Sequence, residues 1–102
     1  MKYKIRFERN LSRRQENAQL YKINRTEIIF TRFEYNGAQG TKISFIKNGV
    51  NKVTPETIDY VLNYFGFDRH KTAKYEEKWL DSSSDSTVDV LTFEQTLNEN
   101  LI

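Results

Sequence analysis

A single histidine, His70, stands between Arg69 and Lys71. No carboxylate lies at a spacing that would make it a general base, so it reads as a surface residue. The chain has no cysteine, which removes thiolate nucleophiles, disulfides and thiolate metal sites. Glu76 and Glu77 are adjacent. On a helix they would diverge by about 100°, and on a strand they would point to opposite faces, so they form no acid/base dyad. Four glycines in all cannot build a phosphate-cradling loop, and neither a P-loop nor a dinucleotide fingerprint is present. The residues therefore predict a non-enzymatic protein with no catalytic, metal or cofactor site.

Charge remains as a source of chemistry. Residues 1–52 carry twelve Lys or Arg against four Glu, a net of +8, whereas residues 53–102 carry four against ten, a net of −6. Such polarity suits an electrostatic partner, because separating like charges costs self-repulsion. The first candidate surface is basic: Lys2, Lys4 and Arg6 on the outward face of a first strand, then Arg9, Arg13 and Arg14. Phosphates would be its natural ligand, with Tyr21, Phe33 and Tyr35 as possible stacking surfaces. The second is acidic. Asp81, Asp85, Asp89, Glu94 and Glu99 recur every four or five residues, a spacing that suits imitation of a phosphate backbone. A third reading has the two halves interleave in space, so that the polarity disappears. A helix-turn-helix over 55–80, with Arg69, Lys71, Lys74 and Lys78 on its second helix, is a variant of the basic reading, although Glu76 and Glu77 sit badly in a DNA groove.

These side chains must be positioned by few elements. At 102 residues one domain is expected. Leu, Ile, Val and Phe number 27, enough for a small core if the aromatic residues supply much of it. Tyr3, Ile5 and Phe7 alternate with charged residues, which predicts a half-buried strand over 2–8. Ser12 to Gln15 fits a capping box, so 12–21 is either a short polar helix or a basic loop. Runs rich in β-branched and aromatic residues predict strands over 26–35 and 41–47, followed by 50–53. The Asn48-Gly49 turn is expected to be tight and the 36–40 loop longer.

Thr54-Pro55-Glu56 opens a helix over 55–65 whose apolar face is Ile58, Val61, Leu62 and Phe65. Gly66 suits its left-handed stop, with Phe67 folding back on Leu62. Residues 68–80 read either as a helix or, over 74–80, as a strand paired with 87–91. A capping box at 92–95, with Phe93, Leu97 and Leu101 in helical spacing, predicts a short C-terminal helix over 93–100. The fold class expected is α+β: a small antiparallel sheet with two helices. The N-terminus lacks the apolar run of a signal peptide or membrane span, which leads to an expected cytoplasmic location.

In size, absent cysteine, abundant Asn, Lys and Tyr, and charge polarity, the chain resembles small proteins that phages and mobile elements use against bacterial defence, anti-CRISPR inhibitors above all. The resemblance is one of overall character and carries no residue correspondence. It implies a stoichiometric inhibitor that binds a nucleic-acid-handling protein such as a CRISPR nuclease. Direct binding of DNA or RNA through the basic half, and a subunit of a larger assembly, are the alternatives.

Overall fold

The computed structural model describes residues 3–11, 16–35, 37–47, 53–81 and 85–96. Its frame is a six-stranded antiparallel sheet in the order β1-β2-β3-β4-β6-β5. The strands are β1 (Ile5–Asn10), β2 (Glu16–Ile23), β3 (Thr26–Tyr35), β4 (Ala38–Lys47), β5 (Ala73–Asp81) and β6 (Ser86–Thr96). One α-helix, α1 (Pro55–Tyr64), and a 3₁₀ turn at Arg69–Lys71 link β4 to β5.

This corrects the expected fold class. The sheet is not small but dominates the described chain, and it recruits two segments read otherwise and one whose reading was open. Residues 16–21 of the segment 12–21, expected as polar helix or basic loop, belong to β2, which pairs along its length with β3. The strand alternative holds for the segment after residue 72: β5 pairs with β6 from Ala73↔Glu94 to Asp81↔Ser86. A helix-turn-helix over 55–80 is therefore ruled out. Residues 93–96, expected to begin a C-terminal helix, continue β6 instead, and residues 97–102 lie outside the described residues.

Turn placement differs too. Tyr35 pairs directly with Ala38, so the tight connection lies at 36–37 and not in a longer 36–40 loop. Gly37 takes φ 80° there, a left-handed conformation that glycine adopts without steric cost. The predicted turn at Asn48-Gly49 and most of the predicted 50–53 strand fall outside the described residues, and Val53 lies in no strand.

Local chemistry explains α1. Thr54 caps it, its hydroxyl accepting from the Thr57 N–H at 3.3 Å, and Pro55 occupies the first turn. At the other end the Phe67 N–H donates to the Leu62 carbonyl (2.8 Å) and the Gly66 N–H to that of Asn63 (3.1 Å). With Gly66 at φ 77°, this is a Schellman stop.

One sheet face packs against α1. Ile23, Ile28, Phe30, Ile43, Phe45, Leu91 and Phe93 meet Val61, Leu62 and Phe67 there. Phe65 stacks on Phe30 (4.7 Å between centroids), and Phe45 meets Phe93 edge-on. The opposite face carries no helix, yet Ala18, Leu20, Ser44, Val90 and Thr92 on it are buried. Curvature accounts for this. Leu11, beyond β1, and Trp79, on β5, stand at opposite edges, which a flat sheet would separate by about 24 Å. They nevertheless line one groove, so the sheet curls toward itself around this face. Ser44 and Thr92 meet on its floor through a hydroxyl–hydroxyl hydrogen bond of 3.0 Å.

Candidate binding face

Strand order carries the charge polarity of the sequence into space. The strands of the basic half, β1 to β4, lie side by side, and β6 and β5 follow across the single β4–β6 seam. The halves therefore do not interleave. Their contact is sealed on the helix side by an ion pair between Lys47 and Glu76 (2.7 Å).

Pairing register decides which way the basic side chains of β1 point. Ile5 opposes Ile23 and Phe7 opposes Tyr21, all toward the helix side. Arg6 lies between them and opposes Lys22, so both cations stand on the open face. A regular strand would return Arg9 to the helix side. The register instead shifts between Phe7 and Arg9, Glu8 being the extra residue of a β-bulge, and Arg9 comes to oppose Leu20 on the open face. Arg6, Arg9 and Lys22 thus share one face at one edge, and Lys4 precedes them. None of these four makes an ion pair among the described residues. Two cations directly opposite on neighbouring strands destabilise a sheet, so this placement is unfavourable to the fold taken alone. Lys2, Arg13 and Arg14, the other members of the expected basic patch, lie outside the described residues.

The acidic candidates do not come together in this way. Asp89 lies on the helix side, opposite both Lys47 and Lys78, and accepts a hydrogen bond from the Lys78 ammonium at 2.8 Å. Glu94, five residues on, lies on the open face and accepts from the Tyr75 hydroxyl at 2.9 Å. Asp81 ends β5, Asp85 sits in the following turn at φ 55°, and Glu99 is outside the described residues.

Partnering shows in the ionisation of these groups. The hydrogen bond and charge of Lys78 hold the Asp89 carboxyl below the usual carboxylate range, and Asp89 in turn raises Lys78. Lys47 lowers Glu76 by the same two effects. Tyr75 is pushed up to about 12, first by burial and then by its hydrogen bond to the Glu94 carboxylate and the charges of Glu94 and Glu77. Among the described residues Glu76, Glu77, Asp89 and Glu94 thus have partners within the protein, whereas the β1 cations Arg6 and Arg9 make no ion pair.

The groove lies beside those cations. It has a volume of about 530 Å³ and is lined in part by Leu11, Ala18, Ile29, Thr31, Lys42 and Trp79. Nearby on the open face, the Phe33 ring lies over Gly40 and leaves no room there for a Cβ, while the Lys42 ammonium sits 5.7 Å from the ring centre. The Trp79 indole N–H donates to Glu77 at 3.4 Å. Sequence reading missed Lys22, Lys42, Trp79 and the groove as site elements, because only strand pairing brings them near Arg6 and Arg9. Of the expected stacking residues, Phe33 lies on the open face and Tyr21 on the helix side.

His70 is exposed in the 3₁₀ turn, where its backbone N–H donates to the Asp68 carboxylate at 2.9 Å. Among the described residues, no group of three or more His, Cys, Asp or Glu is placed to hold a metal ion, and no helix is long and apolar enough to cross a membrane. No family model, no curated protein and no solved structure matches the chain.

Proposed function

We propose that this chain is a non-enzymatic binding protein that takes a nucleic acid on the open face of its sheet. The observation that carries the reading is the opposition of Arg6 and Lys22, two cations held side by side and neither ion-paired among the described residues, although Glu27 stands across from Lys22 on β3. A phosphate backbone would remove their repulsion and release its own counterions in doing so. Arg9, turned onto the same face by the bulge, extends the row. A cytoplasmic location belongs to this reading.

Fluorescence anisotropy of labelled oligonucleotides tests it. Three phosphate contacts give a slope of log affinity against log salt near −2 for a single strand, or roughly 20-fold weaker binding between about 50 and 200 mM salt. Replacing Arg6 and Arg9 by Gln should cut that slope to about −0.7. Absence of binding, or a slope indifferent to both substitutions, refutes the reading.

A second reading, inhibition of a nucleic-acid-handling protein such as a CRISPR nuclease, is favoured by a different surface. On the helix side, Phe7 (54 % exposed), Tyr64 (58 %) and Tyr60 (37 %) flank a linked set of rings in which Phe7 meets Tyr21, and Tyr21 and Tyr64 both meet Phe65. Exposed aromatic anchors of this kind dominate many protein interfaces. If this reading holds, Phe7→Ser with Tyr64→Ser abolishes inhibition of the nuclease, and Arg6→Gln leaves it intact.

A further inference from the structure

Two features of the open face adjoin each other: a row of cations and a recess lined by apolar, polar and charged side chains. Arg9 opposes Leu20, and two residues further on the Leu11 N–H donates to the Ala18 carbonyl at 2.7 Å. Leu11 and Ala18 form one wall of the groove, and Trp79, carried by the opposite edge strand, stands in the other. The volume, about 530 Å³, falls within the range of small-molecule sites.

Duplex DNA keeps its bases stacked and offers a protein mainly phosphates and groove edges. Its rigid outer surface has nothing to place in a recess bounded by both edges of a curled sheet. A single strand does, because its unstacked bases present free π-faces and hydrophobic rings. We infer that the nucleic acid recognised is single-stranded, with one base lodged in the groove against Trp79 and the adjoining phosphates lying over Arg9, Arg6 and Lys22. The inference rests on the nucleic-acid reading and narrows it to a ligand class and a base-binding site. Charge places the strand: the β1 cations beside the groove and Lys42 within its lining are complementary to phosphate, while Glu77, the one carboxylate among the described lining residues, lies by the Trp79 indole N–H. The chain holds one tryptophan among six tyrosines, so selectively excited tryptophan emission reports on this site alone.

The test titrates the full chain with an oligothymidylate of about ten nucleotides, a length within the usual range of single-strand sites, and with the matching duplex. Trp79 emission and the anisotropy of labelled strands are followed together. The expected result is quenching by the single strand, binding at least about tenfold tighter than to duplex, and a loss of about tenfold in Trp79→Leu with the salt slope unchanged. Binding without quenching, equal affinity for duplex, or an unimpaired Trp79→Leu variant overturns the groove inference. Each of those results leaves the basic-face reading standing, provided Arg6→Gln and Arg9→Gln still reduce the salt slope. No binding of either nucleic acid overturns both.

Discussion

Replacing Arg6 by Glu should make the fold more stable while weakening its proposed activity. In the native sheet Arg6 opposes Lys22, and Lys22 is opposed on its other side by Glu27 of β3. A carboxylate at position 6 turns a repulsive cross-strand pair into an attractive one. Cross-strand charge pairs are worth about 0.2–1 kcal/mol in either direction. Solvent holds exposed pairs toward the lower part of that range. Taking about 0.4 kcal/mol for the repulsion lost and about the same for the attraction gained gives roughly 0.8 kcal/mol. For a domain of this size that raises Tm by about 3–6 °C.

Thermal and urea denaturation at low salt measure the gain, and two controls identify its origin. At about 1 M NaCl, where the Debye length is near 3 Å, the gain should largely vanish. In a Lys22→Gln background it should fall below about 0.3 kcal/mol, which closes a double-mutant cycle on the pair. Nucleic-acid binding by Arg6→Glu should meanwhile drop with a shallower salt dependence. A destabilised variant would refute the reasoning, as would a gain that persists unchanged in high salt or without Lys22. Such a trade of stability against activity is expected where like charges are assembled for a ligand.

Three further outcomes follow from the packing and ionisation. Phe45→Ala, at a side chain with no solvent exposure, should cost about 3–5 kcal/mol and lower the urea midpoint with little change in m. A loss below about 1 kcal/mol would mean that the face toward α1 is not the main core. At Gly66, φ 77° with open space around the missing Cβ means that alanine meets only backbone strain, so a urea melt of Gly66→Ala should show about 1–2 kcal/mol of destabilisation. Tyr75 deprotonates in the fold only near 12, against an ordinary value of 10.0. Its stabilising contribution is therefore complete below about pH 10 and is lost as the pH rises toward 12. Urea melts across that window should show a shallower decline for Tyr75→Phe than for the native chain, and identical slopes would show that the phenol is not shielded.

Sequence reading succeeded where one physical signal acted alone. β3 and β4 are rich in β-branched and aromatic residues, and α1 combines a cap, a first-turn proline, a 3.6-residue period and a glycine stop. It failed where burial on both faces erased the alternation. Along β6, Leu91 and Phe93 face the helix while Val90 and Thr92 point to the open face, and all four are buried. A strand buried on both sides reads as a continuous apolar run, so the capping-box motif at 92–95 suggested a helix in its place. β2 failed for the opposite reason. Its own sequence, ENAQLYKI, alternates weakly, and it is held by neighbours on both sides. Of the binding face, Arg6 was legible from the alternation of β1. Arg9 reached the same face only through a bulge that no Gly or Pro marks.

That bulge makes the direction of a charge depend on residue count as well as residue type. Removing Glu8 would take away one acid and, by composition, leave the edge more basic. It would also restore the regular pleat, and because Phe7 and Arg9 already oppose successive residues of β2 across the bulge, Arg9 would still oppose Leu20 on the open face. A one-residue deletion at the bulge should therefore leave Arg6 and Arg9 in one row, whereas a β1 of unchanged length paired without the bulge would turn Arg9 to the helix side and dismantle it. Conversely, an insertion elsewhere in an edge strand could place a buried-side cation in the open without changing a single side chain. Spacing along β1 thus decides which cations the open face presents, and comparison by residue identity alone would overlook it.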